Sequence, residues 1–205
     1  AILAMAVVVG VTSSRTQAAV VVTTEQTNAV NVTFSTIPNI SAIDLAELAT
    51  FTFVGTPHGA SGAIGVLHDG VFPANGTAGS AFFSDTDNLS ITVNLGSIWN
   101  IGQINTYSSD TSTSANRAPQ HYTVLGSTDG VNFTTIAAVL NNGGVPSVGS
   151  ASSWGNSIKD TTGALGGYQY LRFDTVRLPA PGLGPGVQIG TLLNEIDVLE
   201  VPEPS

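Results

Sequence analysis

The chain has 205 residues, 42% hydrophobic and only 9% charged, with 23 Gly, 10 Pro and no Cys. Five Lys plus Arg stand against fourteen Asp plus Glu, a net charge of −9, which excludes electrostatic binding to a nucleic-acid backbone or an anionic membrane. The missing Cys excludes disulfides, thiolate metal sites and a cysteine nucleophile. Polarity falls instead to 24 Thr and 20 Ser, a balance that suits an exported β-protein better than a cytosolic enzyme.

Residues 1–11 carry no charge and no strong polar group. The stretch is too short for a membrane span of ~20 residues and fits the apolar region of a signal peptide. Residues 16–19 would then form a cleavage zone. A retained, buried segment is the other reading, so 1–24 stands apart as an apolar N-terminal segment. Two β-rich stretches follow. Val20, Val21 and Val22 are β-branched with no charge to discourage edge pairing, and Val30 and Val32 alternate with Asn31 and Thr33. Such an arm can add to the open sheet edge of a neighbour, and head-to-tail pairing that does not close builds a filament. An ordinary edge strand within the chain is the simpler account.

Residues 41–49 read as a short helix, with Ser41 as cap and Asp44 near its positive end. Phe51 and Phe53 then flank Thr52. Leu89, Ile91, Val93 and Leu95 alternate with polar neighbours in the cleanest strand pattern of the chain. Further strands are expected over 103–107, 121–126, 133–140, 168–174 and 193–201. The Gly-, Ser- and Asn-rich stretches 55–65, 108–119, 141–167 and 179–190 read as connections. Eight or nine short strands with long loops predict an all-β protein, a jelly-roll β-sandwich over 25–200 with an N-terminal β-arm.

His58, His68 and His121 lack metal-ligand spacing, and no catalytic or phosphate-binding motif occurs. An enzyme is not expected. Asp85 and Asp87, beside Ser84 and Asn88, read as a solvated loop or a cation contact. Glycan binding needs aromatic platforms and planar hydrogen-bonding groups at loop tips. Trp154, Arg117, His121, Trp99 and Tyr107 are the candidates, because Arg117 offers a fixed fork and Trp154 lies in a polar stretch where an indole is hard to bury. Trp99 reads more readily as a core or edge plug after the strong strand. The five N-x-S/T sequons at Asn31, Asn39, Asn75, Asn88 and Asn132 follow from composition.

Val201 to Ser205 (VPEPS) resembles the start of the PEP-CTERM sorting signal of exopolysaccharide-producing Gram-negative bacteria; it is treated as a tail, 201–205. The order of motifs from Ile64 to Glu200 resembles the discoidin-like, galactose-binding type of domain, known from coagulation factors and bacterial carbohydrate-binding modules. The resemblance rests on GVLHDG at 65–70, LSITVNLG at 89–96, the strand and Ser-Thr-Asp-Gly turn ending at Phe133, YLRF at 170–173 and NEIDVL at 194–199. It implies a jelly-roll sandwich and a structural Ca²⁺ held by Asp69 and Glu195 with backbone carbonyls. The first reading is thus an exported, surface or matrix structural protein that assembles with itself; the alternative is a monomeric carbohydrate-binding module associated with exopolysaccharide.

Overall fold

The computed structural model describes residues 20–27, 33–72, 80–110, 117–141, 152–179 and 188–201. Among these, the regular elements are ten strands and one 3₁₀ turn at Ile64–Leu67. The strands are β1 (Val20–Thr27), β2 (Thr50–Val54), β3 (Ser90–Asp110), β4 (His121–Ser127), β5 (Thr134–Leu140), β6 (Ser152–Asp160), β7 (Gly166–Thr175), β8 (Leu178–Pro179), β9 (Gln188–Ile189) and β10 (Glu195–Glu200). The expected all-β architecture is present.

The two stretches read as separate strands at 89–95 and 103–107 are one 21-residue strand, β3. Its first half pairs with β2 on one side and β7 on the other, and β7 continues to β4 and β5. Its second half pairs with β10 and β6, and β6 continues to β1. The ladder to β7 shifts register between Asn94 and Trp99, where Gly96 takes φ 79°. A side chain there would meet the left-handed penalty that glycine escapes. From Ile101 onward β3 pairs with β10 and β6 instead, so two layers share one strand and face each other. Ile91, Val93, Val124, Leu171 and Phe173 from the first sheet meet Ile104, Ile158, Ile196 and Val198 from the second in a single core. This is the period-2 rule of one buried face per strand.

Three expectations are corrected. β1 pairs along its whole length with β6 of the same chain, Val20 opposite Asp160 and Val22 opposite Ile158. Val20–Val22 therefore belong to an edge strand of the chain's own sandwich; Val30 and Val32 lie outside the described residues. No helix forms over 41–49, which bends and turns. The Asp44 carboxylate accepts hydrogen bonds from Ala46 N (2.6 Å) and Val198 N (2.9 Å), and Leu45 N donates to Val198 O (2.9 Å). The segment thus serves the edge of β10 rather than its own helix. Finally, β6 lies within the stretch read as a loop.

The outer face of the second sheet is covered by 33–40. Phe34 and Ile37 sit with Tyr107 in a small second core and cross directly over Gly155, where an added Cβ would lie 3.2–3.3 Å from their side chains. Glu25 on β1 ties the cover down, accepting from the backbone N–H and hydroxyl groups of both Ser35 and Thr36 at 2.6–2.9 Å. Burial alone would raise the Glu25 carboxyl, but these bonds together outweigh it and hold it at about 2. The folded value lies below the ordinary 4.5, so the stabilisation is full above that value and is lost as pH falls through about 2. Glu25→Gln should accordingly lower the melting temperature by a few degrees at neutral pH, and the deficit should shrink steadily between these two values. A pH-independent deficit in thermal melts would contradict this role.

Candidate functional site

Val54 at the end of β2 lies opposite Ser90 at the start of β3; Ser90 lies opposite Asp174 near the end of β7, and Asp174 opposite Thr123 near the start of β4. One rim of the first sheet thus gathers the segments that follow β2 and β7 and those that precede β3 and β4. Four side chains meet there. Phe83 is buried, with the His58 ring stacked on it at 5.0 Å and 21° and the Arg117 guanidinium 5.2 Å from its centroid. Arg117 holds the Asp85 carboxylate in a two-point fork, with Nε to Oδ1 at 3.0 Å and Nη2 on Oδ2. His58 Nε2 stands 3.9 Å from the same carboxylate.

Backbone contacts fix this group. His58 N donates to Phe83 O at 2.9 Å, and Arg177 Nη1 donates to Asp85 O at 2.6 Å. Gly190 packs against Ser84 so closely that no Cβ fits, and its N–H faces Asp85 Oδ1 at 3.4 Å. Burial pushes the Asp85 carboxyl up, but the hydrogen bonds and charge of Arg117 overcome that and keep it below the usual range. His58 Nδ1 accepts from Ala60 N at 3.1 Å, which places the ring proton on Nε2, toward solvent and Asp85. Its side chain is 40% exposed, against 18% for Arg117 and 21% for Asp85. Of the five N–H donors of Arg117, two are spent on Asp85. The rim therefore offers adjacent donors and an acceptor over an aromatic base.

Of the five residues proposed for glycan contact, Arg117 alone belongs to this group. Trp154 is not in a loop: it lies on β6 between Gln26 and Ser108, buried, with Nε1 donating to Ser152 Oγ at 2.9 Å. His121 opens β4 at the same rim but is buried, and burial lowers its pKa. Its backbone N and O both engage Thr191 Oγ1. Tyr107 is sealed beneath 33–40 and donates to Pro38 O at 2.7 Å. Trp99 is half-buried beside Tyr168, nine residues along β3 from Ser90. His58, Phe83, Asp85 and Arg177 were missed as a group, because they converge from loops far apart in the chain, from His58 to Arg177; Asp85 in its polar loop was the one available signal.

A second cluster lies under 41–47 and the 3₁₀ turn. Glu195 and Asp197 project from β10 on the face that carries Tyr107 and Asn105 of β3. Glu195 is fully buried and neither carboxylate oxygen has a partner. Burial, then Asp197, Asp69, Glu47 and Asp44, push its carboxyl up to about 9. Burial and Asp44 raise Asp197 to about 7. Asp69 Oδ1 accepts from Val71 N at 3.0 Å, closing the Asp-Gly turn. Among the described residues no group of three or more acidic or His side chains is placed to hold a metal ion, so any ion here would rest on one or two carboxylates. An orphaned, fully buried carboxylate among other carboxylates nevertheless fits a hard cation that backbone carbonyls help to hold.

Among solved structures, the fold of the chain is similar to the β-sandwich of several carbohydrate-binding modules. Chitosan-binding module 1 from the chitosanase/glucanase of Paenibacillus sp. IK-5 superposes with a TM-score of 0.50 and 23% identity, over 76% of this chain and 98% of that one. CpGH89CBM32-5 of Clostridium perfringens, solved with GalNAc-β-1,3-galactose, gives 0.52 at 16% identity, over 77% and 99%. The lectin domain of lectinolysin, solved with Lewis B antigen, gives 0.52 at 17% identity, over 77% and 96%. At these identities the likeness concerns the fold. No protein-family model and no curated protein matches the chain.

Proposed function

We propose that this chain is a carbohydrate-binding module of the bacterial cell exterior, taking hydroxyl-rich saccharide at the rim formed by His58, Asp85 and Arg117. The observation that carries the reading is the donor–acceptor group fixed on Phe83, with His58 as its most exposed member. Adjacent sugar hydroxyls each donate and accept, so a guanidinium fork, an imidazole N–H and a carboxylate can pair with two of them at once. Three structural neighbours named for chitosan, a galactose disaccharide and a Lewis antigen support the class of ligand. The VPEPS resemblance supports export and retention near exopolysaccharide. Self-assembly through the N-terminal strand has no support from the comparisons, and β1 is already a strand of the chain's own sheet, paired along its length with β6.

Calcium belongs to the same proposal. Asp69 and Glu195 would hold Ca²⁺ with nearby backbone carbonyls and so fasten the 3₁₀ turn to β10; the ion would neutralise the buried Glu195 carboxylate rather than perform chemistry. The functional reading is tested by affinity electrophoresis of wild type and His58→Ala through soluble galactose-, fucose- and glucosamine-containing polysaccharides. Wild type should be retarded by at least one, with His58→Ala at least about tenfold weaker, the loss of one well-placed donor costing about 1.4 kcal/mol. Equal retardation of both proteins, at equal melting temperatures, would remove the rim from binding.

A further inference from the structure

The outer face of the first sheet repeats the chemistry of the rim. On β7, Leu171 and Phe173 point into the core, so Tyr170, Arg172 and Asp174 alternate onto the opposite face. Arg172 lies in register with Thr92 of β3 and Leu125 of β4. Its guanidinium sits 4.4 Å from the Phe133 ring centroid, much as that of Arg117 sits over Phe83. It also grips a carboxylate: Nη2 donates to Asp174 Oδ2 at 3.1 Å, with Nε 3.1 Å from Oδ1. Ser90 Oγ donates to Asp174 Oδ1 at 2.6 Å and holds that acceptor in place. One row further on, the Tyr170 ring rests against Gly130, where a Cβ would come within 3.2 Å of it, and its hydroxyl accepts from Gln169 Nε2 at 3.3 Å. This ion pair is more open than the one at the rim, 31% exposed at Arg172 and 39% at Asp174 against 18% and 21%.

We propose that this face is a second saccharide subsite, resting on the saccharide reading above and continuous with the rim, so that the module takes an extended, uncharged polysaccharide chain rather than a single terminal sugar. A guanidinium and a carboxylate fixed side by side offer neighbouring hydroxyls a donor and an acceptor, and the chain builds that pair twice, each time against a phenylalanine. The two places are joined. Asp174 stands in the row of the rim itself, between Ser90 and Thr123. Tyr170 follows on the same face of β7, about 13 Å away at roughly 3.3 Å per residue. A polymer anchored at His58, Asp85 and Arg117 therefore meets Asp174, Arg172 and Tyr170 in turn. Charge selects the kind of polymer. Arg172 and Asp174 cancel each other, Thr52 and Thr92 beside them add hydroxyls without charge, and the net charge of −9 repels a polyanion. Occupying one subsite raises the effective concentration at the other, so a chain that spans both is held more tightly than either alone would hold it.

The test is affinity electrophoresis of the full chain through galactomannan, fucosylated xyloglucan and glycol chitin, with saturation-transfer NMR on free galactose, fucose and N-acetylglucosamine. Two variants disable the face. Arg172→Ala removes the guanidinium, and Thr92→Glu sets a carboxylate in register with Arg172 that draws it away from a ligand. Each should bind the polymer that retards wild type at least about tenfold more weakly, while the signal of the free sugar at the rim stays at the wild-type level. His58→Ala should lose both. Should Arg172→Ala melt too low to be read, Thr92→Glu alone decides. Wild-type retardation of Thr92→Glu beside a weakened His58→Ala overturns the face and leaves the rim standing. Weakened face variants beside an unchanged His58→Ala overturn the rim and keep the face. No retardation of wild type by any of the three polymers overturns both.

Discussion

Arg117→Ala is expected to abolish saccharide retention and to destabilise the fold by about 2 kcal/mol. The stability loss has a specific origin. Removing the guanidinium leaves Asp85 mostly buried with little besides the Gly190 N–H at 3.4 Å, and a charge stranded in this way costs more than the pair contributes while intact. It also uncovers Phe83, over which the guanidinium lies. The informative companion is Arg117→Lys. An ammonium keeps the charge beside Asp85 but lacks the planar fork, so stability should recover in large part while retention does not. Retention restored by lysine would show that charge alone, rather than fork geometry, serves the ligand.

Trp154→Ala should act in the opposite sense, lowering stability while sparing the site. The indole is buried within β6 between β1 and β3, and truncating a buried Trp costs about 3–5 kcal/mol. At roughly 2–4 °C per kcal/mol for a domain of this size, the melting temperature should fall by about 6–20 °C. Retention measured well below that temperature should match wild type. An exposed sugar platform would give the reverse, an unchanged melting point with lost retention, and that outcome would contradict the buried position.

What could be read in advance tracks how local the determining contacts are. β2, β4, β5, β7 and β10 display alternation because one face meets the core and the other meets solvent or a thin cover. β6 shows none. Trp154, Asn156 and Ile158 face inward, with Asn156 Oδ1 accepting from Thr24 Oγ1 at 2.7 Å, and the opposite face is closed over by Phe34 and Ile37 at Gly155. A strand enclosed on both sides and built from Ser, Asn and Gly has the composition of a loop. The failed helix at 41–49 has a similar cause: Asp44 is a good helix-start residue, yet its carboxylate is claimed by Val198, 154 residues away. Arg117 was legible from its chemistry alone. Its partners were not, since Asp85 lies 32 residues away and His58 and Phe83 reach it only through the packed rim.

The shared strand has a consequence for how the chain folds. Because β3 is a member of both layers, neither layer can detach while the other stays intact, and opening one edge exposes the common core of both. The domain should therefore melt cooperatively as one unit, without a half-unfolded species. Its assembly should be slow, because pairings such as Thr24 with Asn156 span 132 residues and the loop-closure entropy must be met before such contacts reward it. A newly made chain would hold β1 unpaired until most of the domain had been synthesised, and during that interval Val20–Val22 would be an open strand waiting for β6.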